Sequence, residues 1–220
     1  MKIIITEEQF TNLLDEMAYP ASFSMEDFKN LRNFSQRIKY CDQNLERMAS
    51  GSGRVIYKID NEKVLKLAKN NKGIAQNEVE SEGYLQNYGA VAKVFESDYD
   101  NTFVEMELAK RVSPSIFRNV VGFDFKYVEP YLHNVLRAGI RDSHYHGGVI
   151  PKKDVPIEIQ KFFDNDEWMH DLLELVGDYD MPLGDVARLN SYGLVKRDGQ
   201  DSVVLVDFGL TNSVYNEYYS

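Results

Sequence analysis

Leu183-Gly184-Asp185-Val186-Ala187-Arg188-Leu189-Asn190 and, beyond a hairpin, Val203-Val204-Leu205-Val206-Asp207-Phe208-Gly209 are the stretches that decide the reading of this chain. An aspartate is followed five residues later by an asparagine, and a second aspartate stands just past the hairpin. Gly193-Leu194-Val195, a polar turn at Arg197 to Asp201 and the apolar run Val203 to Val206 give that hairpin. Flanking one hairpin, Asp185, Asn190 and Asp207 can converge at its base. Hard oxygen donors of this kind suit Mg²⁺ held jointly with substrate phosphates. Each residue alone is an ordinary turn former. Their order, after a glycine loop and a strand lysine, carries the reading.

Residues 45 to 109 alternate as strands do. Val55, Tyr57 and Ile59 interleave with Ile56 and Lys58, and Asp60-Asn61 offers a turn before the short strand Val64 to Ala68. A helix is expected from Ile74 to about Asn87. Strands follow at Val91 to Phe95 and Phe103 to Leu108, joined by Asp98-Tyr99-Asp100-Asn101. The expected order is strand, strand, strand, helix, strand, strand.

Three features of this region bear on chemistry. Ser50-Gly51-Ser52-Gly53 precedes the strand at Val55, and glycines there let backbone N–H groups approach a phosphate. A Gly-Ser hairpin turn needs no ligand, and the absence of a following Gly-Lys-Ser/Thr argues against a Walker-type loop. Lys66 lies between Leu65 and Leu67, a costly place for an ammonium without a carboxylate or phosphate partner. An edge-strand lysine facing water is the commoner alternative. Glu78, Glu80 and Glu82 are the available partners on the helix. Glu80 is chosen because Tyr84 lies four residues on; the other two stay open.

Residues 1–44 read as two helices. Thr6 and Gln9 resemble a capping box before Phe10, Leu13, Leu14 and Met17; Tyr19-Pro20 ends that helix, and Ser24 caps a second with Phe28, Leu31, Phe34 and Ile38. They form either an extension packed on the body or a separable arm that docks a protein partner; packing on the body is the expectation. From 110 onward the chain is mostly helical, with best helices at Phe125 to Ala138 and Ile157 to Val176 around a loop at 139–156. The divisions expected are 1–44, 45–109 and 110–220.

Composition narrows the classes. The 220 residues carry a net charge of −10, with 43% hydrophobic and 27% charged residues, as in a soluble chain with a real core. The acidic excess argues against nucleic acid and anionic membrane partners. The apolar runs are too short to span a bilayer, and Glu7-Glu8 interrupts Ile3-Ile4-Ile5 before any secretory core could form. The single cysteine, Cys41, forms no internal disulfide and suggests a buried thiol in a reducing cytoplasm. Ile140-Arg141-Asp142 offers another aspartate, but Gly147 stands five residues on, where Asp185 has Asn190. His144 and His146 read as loop histidines.

Taken together, residues 45 to 213 resemble the protein-kinase-like superfamily that includes small-molecule kinases, and in brevity the chain is similar to kinase-like proteins of bacteriophages. The resemblance implies an α+β fold: a small antiparallel N-lobe, a reduced and mainly helical C-lobe, and preceding N-terminal helices. It implies ATP and Mg²⁺ as cofactors. Gly51, Ser52 and Gly53 look like the phosphate loop, Lys66 like the phosphate-binding lysine, and Glu80 like its partner. Glu107 and Ala109, in Met106-Glu107-Leu108-Ala109, look like the adenine-holding link between lobes. Asp185 would orient or deprotonate the acceptor hydroxyl, while Asn190 and Asp207 would hold the metal. The sequence departs from the pattern at Leu183, where histidine is usual, at Ile56 in place of a third glycine, and after Gly209, where only residues 210–220 follow. No standard peptide groove is therefore expected. The function expected is phosphoryl transfer to an unspecified acceptor, in the cytoplasm of a cell or host, or in a virion if phage-encoded. The alternative is a pseudokinase or a phage-associated binding or structural protein without catalysis. A fold alone warrants little about substrate.

Overall fold

A computed structural model describes residues 19–136 and 153–219. The chain divides into two units, one reaching to Ser81 and taking up Val94–Leu108, the other made of Glu82–Lys93 and the residues from Ala109 onward. The first forty-odd residues' initial helix and the segment containing Arg141, Asp142, His144 and His146 lie outside the described residues.

The first unit holds α1 (Met25–Lys29), α2 (Phe34–Asn44), β1 (Glu46–Ser50), β2 (Arg54–Lys58), β3 (Lys63–Ala68), α3 (Asn71–Ser81), β4 (Val94–Ser97) and β5 (Phe103–Glu107). Its five strands form an antiparallel sheet in the order β1-β2-β3-β5-β4. Period-2 alternation gives the sheet two faces. On one, Val55, Tyr57, Leu65, Leu67 and Phe103 join Phe23, Phe28, Cys41 and Leu45 in a buried apolar cluster. The two helices described before β1 thus cover a sheet face. On the other face lie Val64, Lys66 and Ala68 of β3, and α3 lies against β3 and β5.

Two helices differ from expectation. The stripe Phe28-Leu31-Phe34-Ile38 is divided: Ser24 caps α1, and Asn33 turns extended and accepts from the Gln36 N–H to start α2. Helix α3 begins at Asn71 and stops at Ser81, after which Glu82 is extended and Gly83–Asn87 is a 3₁₀ turn. Tyr84 is therefore not on the helix and is 61% exposed, so the one-face argument that selected Glu80 was wrong although Glu80 does face inward. The buried stripe of α3 is Gly73, Gln76, Asn77 and Glu80. Its spacing is helical but its chemistry is polar, which hides it from a search for apolar periodicity.

The second unit contains β6 (Lys110–Arg111), α4 (Pro114–Val121), α5 (Val128–Leu136), α6 (Ile157–Phe163), α7 (Glu167–Asp178), α8 (Leu183–Val186), β7 (Tyr192–Arg197), β8 (Gln200–Leu205) and α9 (Asn212–Tyr218). The long helix expected over Ile157 to Val176 is broken at 164–166, where Asp166 accepts from the Met169 N–H and restarts it as α7. An aromatic core centres on Phe117, with edge-to-face neighbours Phe123, Phe125, Trp168 and Tyr192 at centroid distances of 5.0 to 6.3 Å. Strands β6, β7 and β8 form a small sheet in that order. The β7–β8 turn is Asp198-Gly199, with φ of 51° and 79°, the pairing a tight hairpin favours. Leu205 also bonds Ala90 and Ala92, and Arg197 holds the carbonyls of Gly89 and Val91, so Glu82–Lys93 is stitched to this hairpin. Among the described residues no helix is long and apolar enough to cross a membrane.

Candidate functional site

Lys66 sits on a central strand, opposite Ile56 on one side and Val104 on the other, and is 3% exposed. Its ammonium donates to both oxygens of Glu80, at 3.0 and 2.8 Å, and Glu80 is fully buried. Sequence reasoning missed a third member. Arg54 is 7% exposed, and its Nη1 lies 2.7 Å from Glu80 Oε2 and 3.3 Å from Asn77 Oδ1. The register offered a signal: Ile56 opposes Lys66 and Arg54 opposes Ala68, so strand alternation puts Arg54 on the face of Lys66. Asn77 also donates to the Asn101 carbonyl at 3.0 Å, joining α3 to the turn before β5.

The glycine loop is a tight turn in which Gly51 donates its N–H to the Arg54 carbonyl at 2.9 Å. Its carbonyls face donors from the connection between β3 and α3. Lys69 reaches Gly51 O at 2.9 Å through its ammonium and Gly53 O at 2.8 Å through its N–H, and Asn70 reaches Ser52 O at 3.1 Å. An anion nearing the turn therefore meets carbonyls that already accept hydrogen bonds. Gly53 and Gly73 pack closely: a Cβ on Gly53 would stand 3.2 Å from the Gly73 N, and a Cβ on Gly73 would stand 2.2 Å from Gly53 O. Gly51 has room, with only Arg54 O at 4.0 Å. Glu107 ends β5 in the first unit and Ala109 opens the second, while the Leu108 N–H between them is donated to Glu62 O at 2.6 Å.

In the second unit, Asp185 lies in the short helix α8, and its Oδ1 is 3.1 Å from Arg188 Nη1. Ser191 Oγ donates to the Asp185 carbonyl at 2.9 Å and Tyr192 OH to that of Val186 at 3.0 Å, which ties the 185–191 turn to the start of β7. Tyr192 pairs with Leu205, and Val206 N–H donates to Ser191 O at 2.8 Å. Asn190 lies in the 3₁₀ turn Leu189–Ser191 just before β7 and Asp207 just after β8, and both are exposed. Phe208, fully buried, anchors the segment just after Asp207. Among the described residues no three His, Cys, Asp or Glu side chains gather as a metal cage. Asn190 and Asp207 carry the oxygen donors that Mg²⁺ takes, and that ion usually needs only one or two protein oxygens, with phosphate and water completing the shell.

No family model matches the chain, and no curated protein matches it. Among solved structures it is similar to choline kinase LicA from Streptococcus pneumoniae, at 12% identity over 80% of this chain and 68% of that one, with a TM-score of 0.36. It is similar to the aminoglycoside phosphotransferase APH(2")-IIa in a streptomycin-ATP ternary complex, at 13% identity over 94% and 72% with a TM-score of 0.32. ADP-bound APH(2'')-Ib matches at 14% identity over 78% and 69%, with a TM-score of 0.31. The fold assignment rests on features of the chain itself. A five-stranded antiparallel sheet carries a lysine on its central strand, paired to a carboxylate on the helix between β3 and β4. A mainly helical unit follows, with its hairpin set between Asp185–Asn190 and Asp207-Phe208-Gly209. These define an α+β fold with a small antiparallel sheet in the first unit and a mainly helical second unit.

Proposed function

We propose that this chain binds a nucleoside triphosphate with Mg²⁺ and transfers its terminal phosphoryl group to a small acceptor. The observation that carries the reading is the buried Lys66–Glu80 pair with Arg54 on the same carboxylate. Burying ion pairs is a poor way to stabilise a fold, because apolar side chains of similar volume do as well or better. Three charges spent there speak for a use in holding phosphates. Lys66 would neutralise the α- and β-phosphates, oriented by Glu80, and Asn190 and Asp207 would share the metal with phosphate oxygens. Glu107 and Ala109 would hold the base, and Gly51, Ser52 and Gly53 would cover the phosphates. Asp185 would accept the proton of the acceptor hydroxyl. Most of the rate gain in such chemistry comes from positioning and charge neutralisation. A cytoplasm suits it, supplying nucleotide and keeping Cys41 a thiol.

The test is thermal unfolding with ADP or ATP, with and without Mg²⁺, followed by γ-phosphate release. Ligand at 100 times its Kd stabilises by about 2.7 kcal/mol. The shift is expected to need Mg²⁺ and to vanish in Lys66→Met and in Asp207→Ala. No shift at millimolar nucleotide removes the proposal. A second reading, nucleotide binding without transfer, is favoured by the pairing of Asp185 with Arg188 and by leucine at position 183. A Mg²⁺-dependent shift without phosphate release to any acceptor selects it.

A further inference from the structure

A pocket of about 600 Å³ opens within the second unit between the entry to α4 and the 185–191 turn. Arg111, Val112, Ser113 and Pro114 form one wall, and Arg188, Leu189 and Asn190 form the other. Two arginines, Arg111 and Arg188, line this pocket in a chain of net charge −10. Arg111 is exposed on the two-residue strand β6, and among the described residues no carboxylate pairs with it. Arg188 is 66% exposed at its side chain and is held by Asp185 at 3.1 Å. Two of the lining residues are held in place: Val112 is 4% exposed, and Ser113 caps α4 by accepting from the Ile116 N–H at 3.2 Å.

We infer that this pocket is the acceptor subsite and that it takes an oxyanion, a carboxylate or phosphate carried by a small acidic acceptor. The inference deepens the proposed function and rests on it, because Asp185 gives the pocket its place in the reaction. Guanidinium groups match the planar or tetrahedral oxygens of such anions and bind them by charge-assisted hydrogen bonds. The salt link from Arg188 to Asp185 makes the pocket wall and the proton acceptor parts of one turn. An acceptor whose acidic group engages Arg111 and Arg188 would be anchored beside the carboxylate that receives its hydroxyl proton. An organic cation would be repelled by the same two side chains.

The experiment is a titration of ¹⁵N-labelled full-length chain with acetate and with inorganic phosphate, with choline as the cationic control. Saturable shifts are expected at the amides of Val112, Ser113, Leu189 and Asn190 with at least one anion, and the stronger of the two names the acidic group. Binding is expected to weaken as salt rises and to fall about tenfold in Arg111→Ala, the loss of one ionic hydrogen bond. Arg111→Lys, which keeps the charge, is expected to recover part of it. Unmoved amides with both anions, unchanged affinity in Arg111→Ala, or equal shifts with choline would each overturn the inference. The ADP thermal shift of the wild-type chain reads the nucleotide proposal separately. Anion binding without that shift sinks the kinase reading, whereas the shift without anion binding sinks only this subsite.

Discussion

Replacing Lys66 should cost this protein less stability than replacing Glu80, although the two are partners. Glu80 carries two cations, Lys66 Nζ at 2.8 Å and Arg54 Nη1 at 2.7 Å, and all three side chains are at most 8% exposed. In Lys66→Met the carboxylate keeps Arg54, so a one-to-one pair survives and the methionine fills most of the lysine's volume. A loss of about 1–2 kcal/mol is expected, that of an ionic hydrogen bond in part offset by an apolar side chain. In Glu80→Gln the carboxylate that both cations share is gone, and breaking a buried pair in this way costs about 3–5 kcal/mol. The expected gap is about 2 kcal/mol, well outside the error of paired urea titrations. Unfolding should be followed by far-UV circular dichroism, because the single tryptophan, Trp168, belongs to the second unit. Arg54→Met tests the same logic from the other side and should resemble Lys66→Met. Equal losses for Lys66→Met and Glu80→Gln, or a larger loss for the lysine variant, would refute the shared-carboxylate account.

Other expectations follow from the same geometry. Gly73→Ala would set a Cβ 2.2 Å from the Gly53 carbonyl oxygen, a backbone atom with little freedom to move. About 1–3 kcal/mol should be lost through overpacking, and nucleotide affinity should fall with it if the glycine turn takes part. Gly193→Ala meets Ala109 Cβ at 2.3 Å and should destabilise the β6–β7 pairing, read as faster amide exchange in β7. Burial pushes the Cys41 thiol up to about 12 from 9.0, so iodoacetamide should label it only after unfolding. Burial likewise pushes the Tyr131 and Tyr179 hydroxyls up to about 12 from 10.0. In each case the unfolded chain loses its proton first, so stability should be complete below about pH 9 and should fall from there toward pH 12. Cys41→Ala should flatten the start of that decline in a series of Tm against pH.

How much of this was legible before folding depends on which interactions each element uses. Strands β2, β3 and β5 were readable because their faces differ, one lined by Val55, Tyr57, Leu65, Leu67 and Phe103 and the other holding Lys66. Hairpin β7–β8 was readable because Asp198-Gly199 separates two apolar runs. Strand β1 stood in the expected order only as a strand without bounds. All five of its residues are exposed, and only its backbone pairing with β2 makes it a strand. Helix α3 was found with the wrong bounds, since a polar inward stripe gives no apolar period from which to find its ends.

By itself the sequence determined the order of the elements and the types of residue available: a lysine among leucines, carboxylates on the next helix, and Asp, Asn and Asp around a hairpin. Local propensity and alternation are enough for that, because they act over a few residues. Tertiary structure alone decided which glutamate meets Lys66, that Arg54 shares it, and that Arg111 and Arg188 line one pocket. Those facts depend on strand register and on the rotation of α3 against the sheet. A one-residue shift in strand register would exchange inward and outward side chains, and a one-residue rotation of α3 would turn Glu80 about 100° away; either would leave the buried charges unpaired.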